Sequence, residues 1–156
     1  MLFTGQAELT IDAKLRLAVP AKYRAQWDPA KHGNAWICVP WPGGILRIYP
    51  ETQFEQLASR NQGSLTPDRD EAELEAALFG FSERLEMDSA GRITLPKQHL
   101  ERTGLNGEVV VVGARDRLEV RDRAAWNAEA SNRFNSLPEL VARIQAKKSE
   151  HGGRNP

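Results

Sequence analysis

The sequence predicts an α+β protein, mainly β with short helices, in which two similar halves fold together. The first observation is an internal repeat, because Asp12-Ala-Lys-Leu-Arg16-Leu-Ala-Val-Pro20 returns as Asp88-Ser-Ala-Gly-Arg92-Ile-Thr-Leu-Pro96. The second is the alternation of apolar and polar residues on both sides of each motif, which is typical of half-buried strands. The third is length: 156 residues make about one domain, and halves of roughly 75 residues are marginal as separate cores.

The two copies keep a constant register. An offset of 76 residues places Asp88 on Asp12, and after a four-residue shift an offset of 72 places Val109 on Ile37. This self-similarity indicates a duplication. A single Asp-x-x-x-Arg motif would carry little information, because both residues are common and i, i+4 ion pairs are commonplace.

Each half is predicted to run strand, turn, strand, short helix, hairpin and helix. The motif forms the turn, and the following proline, Pro20 or Pro96, suits the first position of a helix. Hairpins are predicted where two apolar runs flank a Gly-rich or polar turn. Their strands are expected at residues 35–39 and 45–49 in the first half and at 109–112 and 117–121 in the second, with closing helices beginning near Pro50 and Asp122.

Two further helices lie outside the repeat. An acidic helix is predicted to start at Thr66-Pro67, and a C-terminal helix opens with a capping box at Ser136-Leu-Pro-Glu139 and carries an apolar stripe. The stripe consists of Leu140, Val141 and Ile144. The predicted divisions are a first half at 1–64, a connecting acidic helix at 65–79, a second half at 80–134, a C-terminal helix at 135–150 and a disordered tail at 151–156.

Composition excludes several classes of protein. The chain has 21 basic and 21 acidic residues, so binding to a polyanion would depend on a local patch rather than on net charge. No apolar run approaches the ~18 residues of a membrane span, and no secretory signal is recognisable, so a cytoplasmic protein is expected. The single cysteine, Cys38, is predicted to be buried in a strand, and the three histidines are not spaced as metal ligands, so neither a metal nor a cofactor is expected.

The first turn has the chemistry of a DNA contact. Arg16 offers a planar fork of donors for guanine or phosphate, and Lys14 offers a point charge. The structural alternative is that Asp12 and Arg16 pair across the turn and only hold its shape. Both roles can coexist, with aspartate shaping the turn and the basic residues using it.

Catalytic motifs are missing from the sequence. It contains no phosphate-binding Gly-rich loop, no nucleophile elbow, no Cys-x-x-Cys and no His-Glu-x-x-His. The carboxylates of Asp12 and Asp88 lie beside basic residues, which keep them ionised and make them poor general acids. A non-enzymatic protein is therefore expected.

The motifs resemble those of a known family. The opening Phe3-Thr-Gly, the two Asp-x-x-x-Arg turns and Pro20-Ala-Lys-Tyr-Arg24 are similar to the MraZ family of bacterial transcriptional regulators, built from two tandem AbrB-like half-domains. The resemblance covers about residues 1 to 146. It implies a pseudo-two-fold, swapped-hairpin AbrB-like β-barrel with appended helices.

The resemblance also implies a function. The expected partners are double-stranded DNA, read as short direct repeats in a promoter upstream of cell-division and cell-wall genes, and further copies of the chain in a ring-shaped homo-oligomer associated with the nucleoid. The candidate DNA contacts are Lys14, Arg16, Lys22, Arg24 and Arg92, and the turn-shaping residues are Asp12, Asp88 and Gly91.

Two departures and one alternative accompany this interpretation. The family usually has glycine before the motif arginine, whereas this chain has Leu15 in the first turn, so that turn is expected either to be strained or to differ. The second turn has Ala90 where the first has Lys14. The alternative function is a non-enzymatic interaction module in which the acidic helix and the lysine-ended C-terminal helix bind a partner and the turns are only structural.

Overall fold

The computed structural model describes residues 1–60 and 63–152. It contains eight strands and seven helices within these ranges. In chain order they are β1 Gln6–Thr10, β2 Arg16–Ala18, α1 Ala21–Arg24, α2 Pro29–His32, β3 Ala35–Trp41, β4 Ile45–Pro50, α3 Glu51–Ser59, α4 Arg69–Phe81, β5 Glu83–Glu86, β6 Arg92–Thr94, α5 Lys97–Thr103, β7 Glu108–Gly113, β8 Leu118–Asp122, α6 Arg123–Asn135 and α7 Leu137–Gly152.

The chain forms two compact units, residues 1–123 and residues 124–156. The first contains all eight strands and the hydrophobic core. The second consists of α6 after its first residue and α7. The predicted divisions of the chain at the repeat boundaries remain a prediction. In the first unit, strands of the two halves are interleaved in one sheet.

The predicted exchange of strands between halves is present. A six-stranded antiparallel sheet has the order β1-β7-β8-β4-β3-β5, so β1 of the first half pairs with β7 of the second and β5 of the second pairs with β3 of the first. The hairpins β3–β4 and β7–β8 form as predicted. Strands β2 and β6 pair with each other in a separate two-stranded ribbon.

The α+β class is confirmed, but the main sheet does not close into a barrel. Among the described strands, β1 and β5 are its two edges and are not bonded to each other. After each edge strand the Asp-x-x-x-Arg turn leads the chain out of the sheet and into the ribbon. In the ribbon, β2 and β6 hydrogen-bond to each other rather than to the main sheet.

An aromatic cluster anchors the core. Trp36 is fully buried between Trp27, at 4.8 Å between ring centroids, and Phe3, at 5.8 Å. Phe3 in turn meets Tyr23 edge-on at 5.5 Å, the geometry that aromatic quadrupoles favour. These contacts join the N-terminal segment, α1 and β3. Trp36 lies in the hydrophobic core, and Trp27 is partly buried and packs against it.

Three local features differ from the predictions. Helix α4 starts at Arg69 rather than at Pro67, because the Asp68 carboxylate caps it by accepting the amide of Glu71 at 2.8 Å. The Ser136 hydroxyl donates to the Asn132 carbonyl at 2.6 Å instead of forming the predicted capping box. Helix α7 continues to Gly152, and the rest of the predicted tail lies outside the described residues.

Candidate nucleic-acid interface

The first turn is organised by one carboxylate. Oδ1 of Asp12 accepts the backbone amides of Lys14 at 2.9 Å and Arg16 at 2.8 Å, while Oδ2 accepts the Arg16 Nε at 2.7 Å. The amide of Leu15 donates to the Asp12 carbonyl at 3.0 Å. Asp12 therefore shapes the turn and orients the guanidinium, and it leaves Lys14 on the exposed tip.

The second turn repeats this arrangement. Oδ1 of Asp88 accepts the amides of Ala90 and Arg92, both at 2.9 Å, and Oδ2 accepts the Arg92 Nε at 2.8 Å. The amide of Gly91 donates to the Asp88 carbonyl at 3.0 Å. The sequence repeat is thus a repeat of side-chain geometry, and the turn-shaping role predicted for the two aspartates has a clear physical basis.

Both aspartates are held in the charged form. The backbone hydrogen bond from Arg16 is the largest cause that lowers the pKa of Asp12, and the bond from Arg92 does the same for Asp88. Neither carboxyl can serve as a proton donor near neutral pH. Their charge is used to align the following arginine.

The ribbon presents both arginines on one face. In the antiparallel pairing Arg16 lies opposite Thr94, and Arg92 lies opposite Ala18. These four residues alternate with Leu17 and Ile93, which point into the core, so Arg16 and Arg92 are diagonal neighbours about 7 to 8 Å apart on the outer face. A further backbone hydrogen bond closes each end of the ribbon. The Val19 amide donates to the Gly91 carbonyl at 2.9 Å, and the Leu95 amide donates to the Leu15 carbonyl at 2.8 Å.

Helix α1 adds a cation to the second turn. The Arg24 Nε donates to the Val19 carbonyl at 2.9 Å, and its side chain crosses Gly91 so closely that a Cβ there would lie 2.6 Å from Arg24 Cδ. Arg24 thus places a positive charge beside the second turn, which has Ala90 where the first turn has Lys14. Glycine is required at position 91 because any side chain there would clash with Arg24.

Lys22 is not brought to the turns by the described contacts. Its Nζ lies 3.4 Å from the Gln6 carbonyl oxygen and 4.9 Å from the centre of the Tyr23 ring. This places Lys22 beside the start of β1. Four of the five predicted contacts, Lys14, Arg16, Arg24 and Arg92, therefore belong to the two turns and the ribbon, and the fifth stands apart from them.

Two residues of this surface were missed from the sequence. Thr94 is exposed directly opposite Arg16, and Lys97, the exposed first residue of α5, lines the same shallow cavity as Asp12 and Leu15. The only sequence signal was their position, Thr94 near the end of the second motif and Lys97 directly after it. Their proximity to the first turn depends on the β2–β6 pairing, which local sequence patterns do not specify.

Leu15 adopts the conformation that the repeat requires. Its φ is +62°, close to the +76° of Gly91, so the first turn has the same shape and is the strained one of the two expected alternatives. The side chain packs against the hydrophobic core and shares a cavity lining with Leu100 of α5. Burial of the Leu15 side chain offsets part of the conformational free energy of a left-handed backbone, which is about 1 to 2 kcal/mol for a residue other than glycine.

We expect Leu15→Gly to be less destabilising than Leu15→Val. Glycine relieves the left-handed strain, and this nearly offsets the lost burial and the greater entropy of the unfolded chain, so the net change should stay within about 1 kcal/mol. Valine keeps more apolar surface but is β-branched and should cost more than glycine. Urea denaturation of the two variants gives the comparison, and a more stable valine variant would contradict the strain.

Burial and ion pairing shift the pKa values of several titratable groups elsewhere in the described residues. Burial alone would raise the pKa of Glu119, but hydrogen bonds from Arg121 and Arg117 at 2.7 and 2.8 Å reverse this and lower the pKa overall. Burial raises the pKa of Cys38 to about 12, and its Sγ lies 3.4 Å from His99 Nδ1. In the described ranges no three His, Cys, Asp or Glu residues are grouped to hold a metal ion.

Comparison with known proteins assigns the family. The family described as "MraZ protein, putative antitoxin-like" matches residues 2–75 and 78–146, one segment for each half. The chain belongs to the MraZ family. The resemblance inferred from the two Asp-x-x-x-Arg turns is therefore confirmed.

Individual relatives agree with this assignment. "Transcriptional regulator MraZ" of Methylobacillus flagellatus is 34% identical over 128 residues, covering 82% of this chain and 86% of the relative. The protein of the same name from Nitrosomonas europaea is 34% identical over 130 residues with the same coverage, and that of Thioalkalivibrio sulfidiphilus is 32% identical over 125 residues, covering 80% and 83%. These relatives are named as transcriptional regulators, which is a non-enzymatic role, as expected from the sequence of this MraZ-family chain.

Within residues 1–60 and 63–152, no helix is both long enough and apolar enough to cross a bilayer.

Proposed function

We propose that this protein is a sequence-specific DNA-binding transcriptional regulator that contacts DNA through the ribbon and its two turns. The observation that carries the proposal is the shared outer face of Arg16 and Arg92, each aligned by its own aspartate. In each arginine the aspartate engages Nε, so the terminal guanidinium nitrogens are the atoms that can face a base or a phosphate. The proposed setting is the cytoplasm, in association with the nucleoid.

The shape of this surface suits the major groove of DNA. That groove accepts a two-stranded antiparallel ribbon, and arginine can bind guanine O6 and N7 bidentately there. Lys14 and Arg24 flank the ribbon at the first and second turns and suit phosphate contacts. Under this proposal Arg16 and Arg92 read bases, while Lys14, Arg24 and the additional Lys97 position the protein on the backbone.

Assembly is the second part of the proposal. The ribbon and its turns present few cations, and the formal net charge of the subunit is zero, so a single ribbon is expected to bind weakly. A ring-shaped homo-oligomer engaging several short direct repeats in a promoter upstream of cell-division and cell-wall genes would raise affinity by effective concentration. This arrangement is the one that the family resemblance implies.

Titration with DNA tests the proposed function. The protein is mixed with a duplex from the upstream promoter region that contains the repeats, and with a duplex of equal length and composition in which the repeats are scrambled. Tighter binding to the repeat duplex by at least tenfold at ~150 mM salt is expected. Equal binding to both duplexes would favour the alternative, an interaction module whose turns are only structural.

Replacing Lys14 with alanine should weaken DNA binding for every sequence alike. Its exposed ammonium suits a phosphate, so removing it should reduce the slope of log affinity against log salt by about 1 per engaged subunit. Lys31→Ala, which removes an exposed lysine from α2, is the matched control and should leave the slope unchanged. An unchanged slope in Lys14→Ala would remove this residue from the interface.

A further inference from the structure

Two small side chains complete the outer face of the ribbon. Ala18 lies opposite Arg92 and Thr94 lies opposite Arg16, and both small residues are exposed. Residues directly opposite each other in an antiparallel pair have Cβ atoms about 4.5 to 5.5 Å apart. Each arginine of the proposed DNA contact therefore has a small exposed side chain beside it, and the two arginines make up only half of this four-residue face.

The repeat relates the two small residues to each other. Ala18 follows the first motif arginine by two positions, and Thr94 follows the second motif arginine by two positions. Their side chains differ in polarity, but both contain a methyl group, which is Cβ in alanine and Cγ2 in threonine. Both halves of the duplication thus present the same two groups on this face, a guanidinium and a methyl.

The core does not use these methyl groups. The inner face of the ribbon consists of Leu17 and Ile93, which are 2% and 1% exposed. Because side chains alternate between the two faces of a strand, Ala18 and Thr94 point away from the core. Their methyl groups are therefore on the face that approaches DNA in the proposed function.

The small size of these residues suits close approach to base edges. The major groove admits a two-stranded ribbon, and a long side chain opposite either arginine would hold the ribbon away from the bases. Successive base pairs are about 3.4 Å apart along the helix axis, which is close to the spacing of opposite residues in the ribbon. An arginine can therefore reach one base pair while the small residue opposite it touches the next.

Thymine offers the group that a methyl can recognise. Its C5-methyl lies in the major groove, and the side chains of alanine and threonine are among those that make apolar contact with it. We infer that Ala18 and Thr94 read thymines, each by packing its methyl group against the C5-methyl of a thymine next to the guanine bound by the opposite arginine. This inference rests on the proposed function and specifies which bases the ribbon selects in addition to guanine.

The hydroxyl of Thr94 is the competing group. Threonine can also hydrogen-bond to base edges and to phosphates. Ala18 holds the equivalent position in the first half and has no polar side-chain atom. The methyl is the group that the two positions share, and it is therefore the group assigned to the contact.

Replacing thymine with uracil tests the contact, because uracil pairs with adenine in the same way and lacks only the C5-methyl. The full-length protein is titrated with the repeat duplex and with the same duplex in which deoxyuridine replaces every thymidine of the repeats. The wild type should bind the thymine duplex about fourfold more tightly or better, which is the change expected from burying one methyl group. The scrambled duplex, with and without the same replacement, should be bound equally.

Matched variants of Thr94 separate the methyl from the hydroxyl. Thr94→Ser removes the methyl and keeps the hydroxyl, whereas Thr94→Val keeps a methyl and removes the hydroxyl. The serine variant should bind the thymine duplex about fourfold more weakly than the wild type but the uracil duplex equally well. The valine variant should bind both duplexes as the wild type does. Thr10→Ser, in β1 of the main sheet, is the control and should leave both affinities unchanged.

Replacements at single positions assign each residue to a base. Deoxyuridine is placed at one thymine position of every repeat at a time, and the wild type is compared with Thr94→Ser and Ala18→Gly. Each variant should become insensitive to replacement at one thymine, and this thymine should differ between the two variants. Because two duplexes are compared within one variant, any general loss of stability or affinity caused by the glycine cancels.

Three results would overturn the inference. The first is equal affinity of the wild type for the thymine and uracil duplexes, and the second is a thymine preference that persists in both Thr94→Ser and Ala18→Gly. The third is weaker binding by Thr94→Val but not by Thr94→Ser, which would assign the contact to the hydroxyl. All three leave the proposed function standing as long as the wild type prefers the repeat duplex to the scrambled one. A wild type without that preference would refute the proposed function and this inference with it.

Discussion

Replacing Arg16 with alanine is expected to abolish specific binding to the promoter repeats. The change removes a charge-assisted contact of about 1 to 3 kcal/mol at each engaged site, and repetition over an oligomer multiplies the loss. Fluorescence anisotropy gives the affinity for the repeat duplex and for its scrambled counterpart, and the ratio of the two affinities is the specificity. The two affinities should converge, because non-specific phosphate contacts remain.

The structure indicates why the fold should survive this change. Asp12 still accepts the backbone amides of residues 14 and 16 through Oδ1, so only the side-chain bond of Oδ2 is lost. Arg102→Ala is the matched control, since Arg102 lies outside both turns and stacks over Phe81 at 4.5 Å. Wild-type affinity and specificity in Arg16→Ala would disprove the assignment of this turn to DNA.

Replacing Gly91 with alanine is expected to destabilise the protein by about 2 kcal/mol and to weaken DNA binding. About 1 kcal/mol comes from a left-handed alanine, and about 1 kcal/mol comes from displacing Arg24 from the Val19 carbonyl. The new Cβ would meet three atoms of Arg24 between 2.6 and 2.8 Å. Urea denaturation and the DNA titration together measure the two effects.

Two comparisons separate the causes. Gly104 has a similar φ of +71°, and a Cβ there would meet nothing within 4 Å, so Gly104→Ala should show only the backbone cost of about 1 kcal/mol. In an Arg24→Ala background, Gly91→Ala should also cost only about 1 kcal/mol, giving an interaction energy of about 1 kcal/mol. Additive effects of the two changes would mean that Arg24 does not constrain Gly91.

Much of the local structure could be predicted from the sequence. The two Asp-x-x-x-Arg turns, the hairpins and the helix after each motif proline follow from short-range patterns, because turn chemistry and side-chain periodicity act over a few residues. The wrong predictions concern helix starts, which depend on which nearby residue caps the helix. Asp68 displaced Thr66 as the start of α4, and the Asp28-Pro29 start of the short helix α2 was overlooked.

Pairing between distant segments was decided by the tertiary structure. The amino-acid sequence by itself determined the repeat, the family, the aspartate and arginine of each turn and the lysine of the first turn, since these depend on residue identity and spacing. Only the fold joined β2 to β6, set Arg16 and Arg92 on one face, laid Arg24 over Gly91 and brought Lys97 beside the first turn. The physical reason is that each of these contacts spans tens of residues and is selected by burial of Leu17, Ile93 and the shared core rather than by any local preference.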